Sequence, residues 1–176
     1  EARRRNMKVW ILDDSHFPTG FANGALKNKP DSLCKQNIFQ NQQVLEAEPG
    51  VLTLNLRGAG LLELPKNVTD PPARVFRDDS ILFVTAREPN GAAIDLTDHV
   101  TNGILCWDKP AGQWILQVGI RSRNTGGRRD YINTTNENSC KVLIDAVYEP
   151  HWQHYADDFG KTIAGFFSDE PELGNG

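Results

Sequence analysis

Toward its C-terminal end the chain carries the run GFFSDEPELGNG, in which Asp169, Glu170 and Glu172 follow directly on an apolar stretch, with Pro171 between the last two. Carboxyl groups placed this way have a specific use. Cleavage of a glycosidic bond needs one carboxylic acid to protonate the leaving oxygen and a second carboxylate, as nucleophile or base, across the sugar. Glu170 is the candidate proton donor, with Asp169 holding it or the sugar in place, and Glu172 is expected to be a solvated loop acid. A second acidic pair lies near the other end, where MKVWILDDSH stops an apolar run on Asp13 and Asp14, with His16 just beyond. A carboxylate accepts two sugar hydroxyls in a fixed geometry, so these three residues are candidates for substrate binding. The plain competing reading makes all of these acids caps, loop ties and a solvated turn. Acids gathered in this way also suit Ca²⁺, but no EF-hand-like spacing is present, and no metal or cofactor is expected.

Other chemistries find little footing. The chain has no G-x-S-x-G, no P-loop and no G-x-G-x-x-G. Cys34, Cys106 and Cys140 are far apart and odd in number, which argues against a zinc site or a disulfide scaffold. His151 and His154 stand three apart without a partner acid at ligand spacing. The net charge of -4, with mixed signs, offers no basic stripe for nucleic acid. No apolar stretch approaches a membrane span of roughly 18 residues, and the N-terminal EARRRNMKVW lacks the apolar core of a signal peptide. Two sequons, at Asn67 and Asn133, are short enough to arise by chance.

The elements that must position the acids can be read in turn. Residues 7 to 14 read as a fully buried strand, with Trp10 in the core, that emerges into a polar site. The following HFPTGFANGAL is loop, punctuated by Pro18, Gly20 and Gly24. From about 40 to 132, β-type runs at 51 to 56, 81 to 86 and 114 to 120 alternate with turn clusters, which suggests antiparallel sheet. Within this region Pro110 and Gly112 predict a hairpin bringing Trp107 to Trp114. Then Asn138 or Ser139 caps a helix with Val142, Leu143, Ile144, Ala146 and Val147 on one side. Pro150 must kink or divide that helix, and residues 162 to 167 form another buried-type strand. If the first and last strands are neighbours, their terminal acids converge.

Taken together, MKVWILDDSHFPTGFANG, WDKPAGQWILQVG and GFFSDEPE resemble segments of large bacterial glycoside hydrolases, similar to the family 106 rhamnosidase-like and family 2-like enzymes. There a strand ending in an acidic pair leads into a W/F-P-S/T-G loop, a β insertion carries W-x-x-P-x-G-x-W, and a later strand ends in S/T-D-E-P. The resemblance implies an α/β fold, a partial (β/α)8 barrel interrupted by an inserted antiparallel β module. Residues 1–40 and 133–176 would be barrel and 41–132 the module. A whole barrel needs roughly 250 residues, so the chain would hold a fragment, inactive alone, whose partner is the rest of the barrel. The resemblance also implies a carbohydrate substrate, a secreted or periplasmic setting, and Glu170 as acid, with Asp169 where related enzymes carry asparagine. The alternative is a non-catalytic carbohydrate-binding or structural β module with scaffold flanks.

Overall fold

Residues 9–12 and 163–167 are almost uniformly apolar and β-prone, and they find each other across the length of the chain. In the computed structural model, which describes residues 1–56, 74–91, 93–124 and 128–172, strands β1 (Val9–Leu12) and β9 (Ile163–Phe167) pair in parallel, Ile11 opposite Phe166 and Leu12 opposite Phe167. The chain divides into two compact units, one formed by residues 1–35 and 128–176 and the other by residues 36–127.

In the first unit, Asn136 starts the helical segment, its side chain accepting the N–H groups of Asn138 and Ser139. The cap is thus Asn136; Ser139 instead turns inward, its hydroxyl donating to Leu33 O at 2.6 Å. Helix α1 (Glu137–Leu143) passes through a π-helical turn (Ile144–Tyr148) into α2 (Glu149–Tyr155). The wide turn ends two residues before Pro150, which has no N–H to give and whose ring would crowd the carbonyl four residues back, within that turn, in a regular α-helix. Val142, Leu143 and Val147 face Ala22, Leu26, Tyr131 and Ile132 to form this unit's core. Phe166 of β9 packs on Tyr148, His151 and Phe159. The other face of the β1–β9 pair is different. Trp10, expected in the core, is 65% exposed and lies over Gly165, where a Cβ would approach its ring to 3.1 Å. Leu12 and Phe167 are exposed beside it.

The second unit is antiparallel throughout its described strands. Strands β2 (Asn37–Leu45), β8 (Trp114–Ser122), β4 (Ser80–Arg87) and β5 (Ala93–Asp95) form one sheet in that order, and β3 (Gly50–Asn55), β7 (Ile104–Lys109) and β6 (Val100–Thr101) the other. The alternation of buried and exposed residues along β7 and much of β8 fits one buried face per sheet. Val84, Ala86, Leu116, Val118 and Ile120 from the first sheet meet Leu105 and Trp107 from the second in a single core. The turn at Pro110–Gly112 does not close a hairpin: β7 pairs with β3 and β6, whereas β8 pairs with β2 and β4, so the turn carries the chain from one sheet to the other. The indoles of Trp107 and Trp114 still meet, edge to face at 5.3 Å, both buried.

These pairings overturn the expectation of a partial (β/α)8 barrel. A barrel alternates parallel strands with helices. Here the described residues make three sheets and one long helical stretch, residues 137–158, besides short 3-10 turns, and β1–β9 is the one parallel strand pair among them. Every strand pair described in the second unit is antiparallel, the pairing that consecutive strands joined by short turns adopt without crossover helices.

Replacing Trp107 by alanine should destabilise the second unit by about 3–5 kcal/mol, the usual cost of emptying an aromatic site in a core. Equilibrium urea unfolding of the intact chain measures this; a loss below about 1 kcal/mol would mean that the two sheets do not close over that indole.

Candidate functional site

Beyond the paired strands, the acidic segments meet. Asp13 N–H continues the ladder to Phe167 O at 3.2 Å, and Thr19 and Asp169 are joined twice, Thr19 N–H to Asp169 O and Asp169 N–H to Thr19 Oγ1, both at 2.9 Å. The loop after β1 and the loop after β9 are therefore one hydrogen-bonded structure.

Asp13 is at its centre and fully buried, with 0% exposure. One carboxylate oxygen accepts the Thr19 hydroxyl at 2.6 Å; the other accepts the hydroxyls of Tyr148 and Ser168. A buried carboxylate without such donors would be strongly unfavourable. Burial, and then the hydrogen bond to Asp13, push the Tyr148 phenol above its ordinary pKa.

Asp14, also buried, works locally. It accepts backbone N–H groups from Gly20 at 3.0 Å, Ala22 at 2.7 Å, Asn23 at 3.1 Å and His16 at 3.3 Å. This single side chain satisfies the loop's amides where Ala22 and Asn23 both take positive φ of 52°. Gly20, at φ 140°, leaves room for Tyr131, whose ring a Cβ would approach to 2.1 Å. Asp13 and Asp14 thus direct their oxygens into the unit itself. His16 is exposed, with Nδ1 at 2.8 Å from Ser15 Oγ and its ring 5.6 Å from Phe21.

Asp169 is half-buried, whereas Glu170 is exposed and holds φ at 42°. A non-glycine residue in that region carries backbone strain, a state that concentrates at functional sites. Glu172 departs from the expected solvated acid. Lys35 Nζ lies 2.7 Å from one of its oxygens and Arg128 pairs with the other, while its N–H donates to Tyr131 Oη at 2.8 Å. Burial acts to raise the Glu172 pKa, but hydrogen bonds and charge from Lys35 and Arg128 outweigh it and hold the carboxyl below the usual range. The Tyr131 hydroxyl in turn donates to Thr19 O. Tyr131, Tyr148, Thr19, Lys35 and Arg128 are thus the supporting residues that the sequence did not single out.

The remaining sequence candidates are peripheral. His151 Nδ1 lies 2.7 Å from Val147 O and His154 Nδ1 2.8 Å from Pro150 O, both ordinary helix contacts. The three cysteines are free, Cys34 buried and Cys106 exposed. Asn133 accepts from Thr135 within its own turn, and the Asn67 sequon lies outside the described residues. Among the described residues, no group of three or more His, Cys, Asp or Glu side chains is placed to hold a metal, and no helix is long and apolar enough to cross a membrane. No family model, no curated protein and no solved structure matches the chain.

The Glu172 pairing has a defined pH signature. A carboxyl held low in the folded state stabilises above its ordinary pKa of about 4.3, and that contribution disappears as pH falls through the folded value. Glu172→Gln should cost about 1–3 kcal/mol at pH 7, and the difference from wild type should narrow on acidification below about pH 4.3. Urea unfolding across pH measures it; a gap independent of pH would mean that the ion pairs contribute nothing.

Proposed function

We propose that this chain is part of a glycoside hydrolase in which Glu170 is the general acid. The observation that supports this reading is the parallel pairing of β1 with β9, which ties the two acid-bearing loops into one framework through Thr19 and Asp169. Loops at the C-terminal ends of parallel strands are a common location for active sites.

In this reading the residues divide their work. Asp13 and Asp14 are positioning residues: their oxygens are taken up by hydroxyls and amides of the same unit, so they fix the loops rather than contact sugar. Asp169 is anchored through both its N–H and its C=O to Thr19, and this holds the next residue in place. Glu170 is the acid left exposed, in a strained conformation directly after the anchored Asp169. Its proton would pass to the glycosidic oxygen as the bond to the anomeric carbon breaks, and an opposing carboxylate would stabilise or capture the positive sugar. The uncovered face of the β1–β9 pair, with Trp10, Leu12 and Phe167 exposed, suits cover by further polypeptide, since parallel strands are ordinarily buried on both faces. That polypeptide is the natural source of the opposing carboxylate.

Glu170→Gln keeps size and hydrogen bonding but removes the proton. In the intact enzyme kcat on glycosides with poor leaving groups should fall about 10²- to 10⁴-fold, with a much smaller loss on aryl glycosides whose leaving groups need little protonation. Steady-state kinetics on matched substrates checks this; equal losses on both classes would assign the proton transfer elsewhere.

A further inference from the structure

The second unit has a cleft of about 340 Å³ at the end of its sandwich, formed by the β2–β3 connection and the end of β7. Both the β2–β3 and the β7–β8 connections pass between the sheets here, and Gly112 N–H donates to Ala47 O at 2.9 Å to join them. The location follows from the sequence: Pro49 and Gly50 turn the first connection, Pro110 and Gly112 the second, and Gly50 pairs across to Lys109.

Lys109 is the unusual member. It is only 6% exposed, yet its ammonium donates to a single protein acceptor among the described residues, Pro110 O at 3.1 Å. An ammonium can donate three hydrogen bonds, and one withdrawn from water without a counter-charge is costly. Glu46 and Glu48 line the same cleft, exposed and without an ion pair among the described residues. The walls between these groups are apolar, from Leu45, Pro49 and Leu52.

The donor set selects its ligand. Two carboxylates against one ammonium leave the cleft net negative, which disfavours an anion, while the buried ammonium disfavours a metal ion. A neutral sugar suits both. Its hydroxyls accept from Lys109 and donate to Glu46 or Glu48, and the C–H face of its ring lies on apolar side chains. The volume, at the lower end of the roughly 300–1,000 Å³ of small-molecule sites, fits a mono- or disaccharide. We propose that this cleft is a non-catalytic binding site for a neutral saccharide, with Lys109 as the buried donor and Glu46 and Glu48 as rim acceptors. It lies wholly within residues of the second unit and does not depend on the hydrolytic reading of the acids in the first.

The test is ligand-observed NMR on the intact chain with a panel of neutral methyl glycosides and disaccharides and the matching methyl uronosides, each at a concentration on the order of 10 mM, with affinities from titration. At least one neutral saccharide should bind, and Lys109→Met, which keeps the apolar stem, should weaken it about tenfold or more, as expected for loss of a charged hydrogen bond. The double variant Glu46→Gln, Glu48→Gln, at exposed positions, should also weaken binding and gives the answer if Lys109→Met does not fold. Absence of binding by every neutral member, preference for uronosides, or unchanged affinity in the folded variants would each overturn the assignment.

Discussion

The first unit depends on one buried carboxylate. Asp13 gathers hydroxyls from Thr19, Ser168 and Tyr148, which belong to the loop after β1, the segment after β9 and the helical segment. Tyr131 reinforces the same junction, its hydroxyl bonded to Thr19 O and Glu172 N–H and its ring in the core with Val142, Leu143 and Val147. An acid at such a depth is tolerable only when its oxygens are fully engaged, so each of the three segments is required by the other two. The same requirement fixes Thr19, whose hydroxyl both donates to Asp13 and accepts from Asp169, and through Thr19 it fixes the backbone that leads into Glu170.

Around this knot, the polar groups divide by range. Asp14 acts over a few residues and solves a local problem, a loop with successive left-handed residues whose amides are withdrawn from solvent. Glu172 acts over long range, drawing Lys35 and Arg128 together at the two chain crossings into the other unit. The second unit uses a different device, an apolar core between two sheets, with Trp107 and Trp114 in contact where the chain changes sheet. Among its described residues the buried ammonium of Lys109 is out of keeping with that core, and the contrast gives Lys109 its significance.

The strands were legible because their apolar runs are short and bounded: Val9–Leu12, Gly50–Asn55, Ser80–Arg87, Trp114–Ser122 and Ile163–Phe167 all stand where the composition predicts strand. Strand β2 was not, because NIFQNQQVL is an edge strand rich in Asn and Gln and largely exposed. Pro110 and Gly112 signalled a reversal but carried no information about which sheet receives the next strand, and this turned an expected hairpin into a crossover. The barrel came from resemblance rather than periodicity, and pairing geometry contradicts it. At the site, strand-terminal acids were visible as residues, but not their state: Asp13 is buried by hydroxyls up to 155 positions away, and Glu172 is held by cations that no local pattern links to it. Trp10 reads as core in the sequence because an apolar run implies two covered faces, and one face here is open.

The parallel pairing of β1 with β9 has a consequence in time. Leu12 leaves the ribosome about 150 residues before Ile163, an interval of roughly 8–30 s at ordinary rates of synthesis of about 5–20 residues per second. During that interval residues 36–127 emerge as a continuous segment whose strand pairs all lie within it, so the sandwich can complete itself first. The VWIL strand meanwhile has no partner, and the carboxylate that follows it has only the Thr19 hydroxyl within reach. Assembly of the acidic loops is consequently the last event in forming this stretch of chain, and any chaperone that shields the nascent protein must cover that early strand for longest.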